Sequence, residues 1–225
     1  MEKFDLLLKV LGDLQDAGIL KHLVLVGSWC QDFYRHQFGN PIEIPATKTM
    51  DADILIPRRL PKFKQPVDIV AIMKKNDFIF EVAPSSLYKF NHPLLKVEFL
   101  TDSGAKPEEV PRHFKELGVT AQELHFMGLP LAYHYPLTYK HITFNLPEPE
   151  AFALHKLIVS QRRLNKEKAE KDRLTAEGMF LYFQNKPKHI TRLHTIIAEQ
   201  SKGWQKKIRA ALVSTGLELP ALPTP

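Results

Sequence analysis

Three acidic side chains in the 225-residue chain have the spacing of a site that holds divalent cations. Asp51 and Asp53 stand in Thr49-Met50-Asp51-Ala52-Asp53-Ile54, and Glu98 in Leu94-Leu95-Lys96-Val97-Glu98-Phe99-Leu100. Both stretches read as β-strands, along which side chains alternate between faces. Asp51 and Asp53 therefore share one face, and Glu98 points away from Val97 and Phe99, on the polar side of its strand. Magnesium is a hard ion that takes oxygen ligands and keeps several waters, so two or three carboxylates suffice to hold it. Two such ions can neutralise a triphosphate and activate an attacking hydroxyl, the chemistry of phosphoryl-group transfer. The competing reading of Asp51 and Asp53 is a solvated strand edge. Two acids beside Ile54, Leu55 and Ile56 would then repel each other without compensation. For Glu98 the competing reading is the exposed face of an antiparallel strand, which ordinarily carries such residues.

The elements that must position these acids can be read around them. Phe4, Leu7, Leu8, Leu11 and Leu14 have helical spacing, with Gly18 as a stop. A strand over 22–26 ends in Gly27-Ser28, and a helix is expected over 29–38. Glycine at a strand end lets backbone approach a phosphate closely, and the following helix presents free N–H groups to the same anion. Ser28 can add a hydroxyl donor. After a loop holding Pro41 and Pro45 comes the Asp51–Asp53 strand, 51–56, closed by Pro57. A helix over 67–75, strands over 78–82, 86–90 and 94–100, and a turn at 101–104 follow. Residues 108–117 read as a short helix, and 124–135 and 140–146 as strand or loop. Pro147-Glu148-Pro149-Glu150 has the proline and acids of a helix start. Four helices are expected from there, near 149–164, 167–184, 188–200 and 202–214, then a loose tail from Leu217.

Strand, Gly-Ser, helix, Asp-x-Asp strand and a later acidic strand, in that order, resemble the nucleotidyltransferase superfamily that includes DNA polymerase beta. The second half, with Pro149-Glu150-Ala151-Phe152-Ala153-Leu154-His155-Lys156-Leu157 and then Lys171-Asp172, resembles the bacterial abortive-infection toxin-type nucleotidyltransferases within it. The resemblance implies an α+β fold, a mixed-sheet nucleotidyltransferase core over 1–147 followed by a helical domain over 148–225. It implies a magnesium- or manganese-dependent enzyme in which Asp51, Asp53 and Glu98 are catalytic and hold the metal, with a nucleoside triphosphate, for example ATP, as substrate. Gly27, Ser28 and Lys156 would bind the nucleotide, and Asp172 would support or orient the site. Lys156 can also be read as a lysine snorkelling at a domain interface, and Asp172 as an exposed ion pair with Lys168. An RNA or tRNA acceptor, a protein hydroxyl acceptor, and a restraining protein partner such as an antitoxin all fit the resemblance. So does a binding protein of the same fold with little turnover. A cleft filled by bulky Trp29 or by the 39–48 loop would favour binding over catalysis.

Charge divides the chain unevenly. Residues 151–225 hold 14 Lys and Arg against 6 Asp and Glu, whereas the first 150 hold 17 against 19. A neutral front and a basic back suit an active domain followed by one that attracts phosphates; a lysine-rich surface for solubility is the plainer explanation. Composition is 44% hydrophobic and 25% charged, and no window approaches the roughly 18 uninterrupted apolar residues of a membrane helix. Acids in Met1-Glu2-Lys3-Phe4-Asp5 are unlike a signal peptide, so a cytoplasmic protein is expected. The single Cys30 reads as a packed thiol, and none of the ten histidines has metal spacing. Trp204 with Lys206, Lys207 and Arg209 forms an aromatic and basic cluster of a kind that suits RNA, although tryptophan at helical spacing is more often core.

Overall fold

The computed structural model describes residues 2–46, 49–104 and 111–222. In chain order the elements are α1 (Lys3–Asp16), β1 (Val24–Val26), α2 (Trp29–Gln37), β2 (Asp51–Ile56), α3 (Ile69–Lys75), β3 (Ile79–Val82), β4 (Tyr88–Asn91) and β5 (Lys96–Asp102). Then follow β6 (Arg112–Phe114), β7 (Val119–Leu124), α4 (Gly128–Ala132), β8 (His134–Tyr139), β9 (Ile142–Pro147), α5 (Pro149–Ser160), α6 (Lys166–Phe183), α7 (Pro187–Glu199) and α8 (Lys202–Thr215). The fold is α+β, with a mixed sheet followed by C-terminal helices. Two compact units form: residues 1–30 with 47–147, and residues 31–46 with 148–225. The segment 31–46 thus belongs with the C-terminal helices, an association between distant segments.

The first unit is built on a sheet ordered β3-β4-β5-β2-β1-β9-β8, and β7, paired with β6, lies along β5 beyond β4. β2 runs parallel to β5 and antiparallel to β1. One face of these central strands is wholly apolar apart from a threonine: Ala52, Ile54, Ile56, Val97, Phe99 and Thr101 are each no more than 1% exposed. The opposite face is divided. Its far half, Val24, Val26, Leu55 and Leu100, packs with Met127, Leu124 and Leu131 around α4. Its near half carries Asp51, Asp53, Lys96 and Glu98. Burying one half with aliphatic side chains sets the strand register, because a one-residue slip would turn every side chain over. The acids are held in place by the same alternation that fills the core.

Helix α1 starts with Asp5 accepting from the Glu2 backbone N–H at 3.3 Å and buries Leu6, Leu7, Leu8, Val10, Leu11 and Leu14. The strand expected at 22–26 is shorter, because Leu20–His22 form a 3-10 turn and β1 begins at Val24. The helix expected at 108–117 is absent over 111–117, and its first residues lie outside those described. Arg112 and Phe114 instead pair with Ala121 and Val119, a hairpin turning at Gly118 with φ +58°. The mixed charges of Arg112-His113-Phe114-Lys115-Glu116 imitate a helix surface, while the pairing that decides the matter lies across the turn. Within 124–135, residues 128–132 form the helix α4 and β8 begins at 134.

The second unit centres on α5, in which every residue except Val159 is buried. A helix buried on every side lies in an interior, and its polar side chains Glu150, His155 and Lys156 are buried with it. It packs against α6, α7 and α8, and Tyr34 of α2 meets Phe152 edge-on at 5.3 Å. The loop after α2 lies on α6, where a Cβ at Gly178 would come within 2.2 Å of the Glu43 carbonyl oxygen. Arg35 ties that loop by donating to the carbonyls of Pro41 and Ile44. Asn165 caps α6, accepting from the Lys168 N–H at 2.9 Å, and Gly216 ends α8 at φ +67°. No helix among the described residues is long and apolar enough to cross a membrane.

Candidate active site

Asp53 sits opposite Val26 on β1 and opposite Glu98 on β5. Directly paired residues in a sheet share a face, so Asp53 and Glu98 are neighbours, with Cα atoms separated by about the 4.8 Å spacing of adjacent strands. Asp51 lies on that face two residues earlier, opposite Lys96. Asp51 and Asp53 are half-buried, and Glu98 and Lys96 are exposed. The parallel register thus brings three carboxylates and one ammonium to a single patch.

The turn after β1 is fitted to Asp53. Gly27 has φ +76°, in the left-handed region, and a Cβ added there would stand 2.1 Å from Asp53 Oδ2 and 3.0 Å from its Cγ. Glycine is needed twice, for the backbone conformation and for the room that the carboxylate occupies. Ser28, half-buried, connects this turn to α2. The bulk of Trp29 is directed elsewhere: its ring is 2% exposed, its centroid lies 6.0 Å from that of Phe4, and Lys3 Nζ is 5.5 Å away. Cys30 is a buried thiol donating to the Leu25 carbonyl at 3.3 Å. The first turn of α2 is therefore packed by α1, and its Cys30 N–H donates back to the Gly27 carbonyl at 3.4 Å.

Three oxygen-donor carboxylates on one face fit a hard divalent cation chemically. Among the described residues, however, no three His, Cys, Asp or Glu side chains are drawn together to coordination geometry. Lys96 was not singled out in the sequence. Its signal was the alternation Lys96-Val97-Glu98, which puts a cation on the face of the acids.

Lys156 and Asp172 belong to the second unit, where each finds the other. Lys156 Nζ donates to Asp172 Oδ1 at 2.7 Å, and both side chains are about 5% exposed. Arg163 Nε donates to the second oxygen, Oδ2. Burial pushes the Asp172 carboxyl up, but the Lys156 charge and the hydrogen bonds from Lys156 and Arg163 outweigh it, and the group stays below its ordinary value. The partner of Asp172 is thus Lys156 from the preceding helix, rather than Lys168 four residues away.

Beside this pair, His155 is buried and its Nε2 has no hydrogen-bond partner. Burial, aided by the neighbouring Lys156 charge, pushes it down to about 3. Between pH 6.5 and 3 the unfolded chain binds a proton here that the folded chain refuses. Stability from this group is therefore complete above pH 6.5 and declines as pH falls, by up to about 1.4 kcal/mol per pH unit. Urea midpoints measured from pH 7 to 4.5 are expected to fall more steeply for the wild type than for His155→Met; parallel profiles would contradict this.

The chain belongs to a nucleotidyltransferase family, whose profile matches residues 6–195. None of the curated proteins matches it. Among solved structures, the chain is similar to an antigenic nucleotidyltransferase-like protein from Paracoccidioides brasiliensis, at 13% identity and a TM-score of 0.46, with 96% of this chain and 94% of that one covered. It is also similar to the antibiotic-resistance factor ANT(2'')-Ia, at 13% identity and a TM-score of 0.43, with 87% of this chain and 99% of that one covered.

Proposed function

We propose that the chain transfers a nucleoside monophosphate from a nucleoside triphosphate to a hydroxyl acceptor, using magnesium or manganese held by Asp51, Asp53 and Glu98. The observation that carries this reading is the seat of Asp53 against Gly27. A carboxylate packed against the positive-φ turn at Gly27, on the face shared with Asp51 and Glu98, has little purpose in a solvated strand edge. Bound cations would supply neutralisation of the triphosphate and a more acidic acceptor hydroxyl. The Gly27-Ser28 turn and the N-terminus of α2 would bind the donor phosphates. Lys96 would balance charge at the edge of the same patch. Glu98, the exposed acid, would take the acceptor proton as the hydroxyl oxygen bonds to the α-phosphorus and pyrophosphate leaves.

The excess of Lys and Arg in the helical unit favours a polyanionic acceptor such as RNA or tRNA; a protein hydroxyl is the alternative. The toxin-type subgroup, with a restraining protein partner, rests on the sequence pattern around Lys156 and Lys171-Asp172. Lys156 is engaged by Asp172, so its role is proposed as organising the second unit.

The group moved is tested directly with triphosphates labelled at the α or the γ position, each base in turn, with magnesium or manganese and total RNA or protein. Label from the α position is expected in the acceptor and label from the γ position is not. Transfer of γ label would make the chain a kinase and overturn the proposal.

A further inference from the structure

Helices α5 and α8 of the second unit enclose a groove of about 580 Å³. Ile158, Ala210 and Ala211 line it, and Arg162, Lys206 and Lys207 stand at it with exposed side chains. Among the described residues, no acidic side chain lines the groove. Over Lys202–Thr215 helix α8 carries Lys202, Lys206, Lys207 and Arg209 and no acid at all. Surface helices ordinarily intersperse both signs, as α6 does where Arg173 pairs with Glu170 and Glu177. Lys207 Nζ also lies 5.7 Å from the centroid of the half-buried Trp204 ring, which is beside the groove and not among the residues lining it.

Cations of one sign over an apolar floor complement a chain that alternates anionic groups with flat apolar ones. Single-stranded nucleic acid has that character: its phosphates follow the cations, and its bases cover apolar and aromatic surface. The volume lies within the roughly 300–1,000 Å³ of small-ligand pockets, which leaves room for a nucleotide or two. We propose that the α5–α8 groove binds single-stranded RNA, through Arg162, Lys206 and Lys207 at its phosphates. The proposal deepens the RNA-acceptor reading and rests on it for the choice of RNA as ligand.

The test is fluorescence anisotropy of a labelled twelve-nucleotide RNA of mixed sequence with the full chain, without triphosphate or metal. Binding is thereby read separately from transfer. With three phosphate contacts, log Kd is expected to rise with log[salt] at a slope of about 2, from roughly 0.7 per contact on single strands. Lys206→Glu with Lys207→Glu is expected to weaken binding at least tenfold and lower the slope below 1. The matching Lys→Arg pair is expected to stay within about twofold of wild type. Three results would overturn the proposal: no RNA binding by the wild type, equal binding by the Glu variant, or displacement of the RNA by polyglutamate at lower concentration than by unlabelled RNA. If binding behaves as expected but no RNA receives label, the groove stands and the RNA-acceptor reading falls.

Discussion

Gly27→Ala is expected to lower nucleotidyl transfer about a hundredfold while leaving most of the fold intact. The new Cβ would stand 2.1 Å from Asp53 Oδ2, a separation that two non-bonded atoms do not tolerate. Either the turn or the carboxylate must move. An L-residue at φ +76° also carries roughly 1–3 kcal/mol of backbone strain. A displacement near 1 Å in a catalytic group can cost about a hundredfold in rate. Initial rates with α-labelled triphosphate, alongside thermal midpoints, measure both consequences. A variant that is as active as wild type would mean that the seat of Asp53 at this turn has no part in the chemistry. Gly18 gives a comparison: it also has a positive φ, +74°, but nothing lies within 4 Å of its notional Cβ. Gly18→Ala should therefore cost stability alone.

Lys156→Met is expected to be among the most destabilising single substitutions in the second unit. It removes a cation from Asp172, a carboxylate whose side chain is 5% exposed. Breaking a buried ion pair at one end typically costs about 3–5 kcal/mol, because the other charge remains buried. Arg163 still donates to Asp172, so the lower end applies, about 3 kcal/mol. For a chain of this size that corresponds to a fall in Tm of roughly 6–12 °C. Lys156→Met combined with Asp172→Leu should recover most of the loss, since two matched apolar groups can replace a buried pair at little cost. A role for Lys156 at the triphosphate leads to the opposite pattern, a raised KM for nucleotide with an unchanged Tm. Denaturation and steady-state kinetics on the same two variants distinguish the alternatives.

What could be read in the sequence was whatever depends on neighbours along the chain. The alternation in 51–56 and 96–100 placed each acid on a face of its own strand, and Pro149 with Glu150 marked the start of α5. The pairing of Asp53 with Glu98 could not be read, because it depends on β5 running parallel to β2 across some forty residues of intervening chain. Once that register is known, Lys96 joins the patch without further assumption. Trp29 was similarly ambiguous: a bulky residue after Gly-Ser narrows a pocket or fills a core according to where α1 lies, and Phe4 decides it. The partner of Asp172 was missed for a related reason. A carboxylate on a lysine-rich helix has many candidate partners at i±4, and the one it takes is on another helix. The β6–β7 hairpin was hidden by charged residues that are compatible with either structure until Gly118 turns the chain.

Whether Asp53 and its neighbours on the β2–β5 face carry out the transfer is tested most directly by Asp53→Asn. The substitution keeps the size and the fit against Gly27 but removes the negative charge. With α-labelled triphosphate, divalent metal and RNA, the variant is expected to incorporate label at least a thousandfold more slowly than wild type, at an unchanged thermal midpoint. Incorporation at the wild-type rate would show that the chemistry takes place elsewhere in the chain.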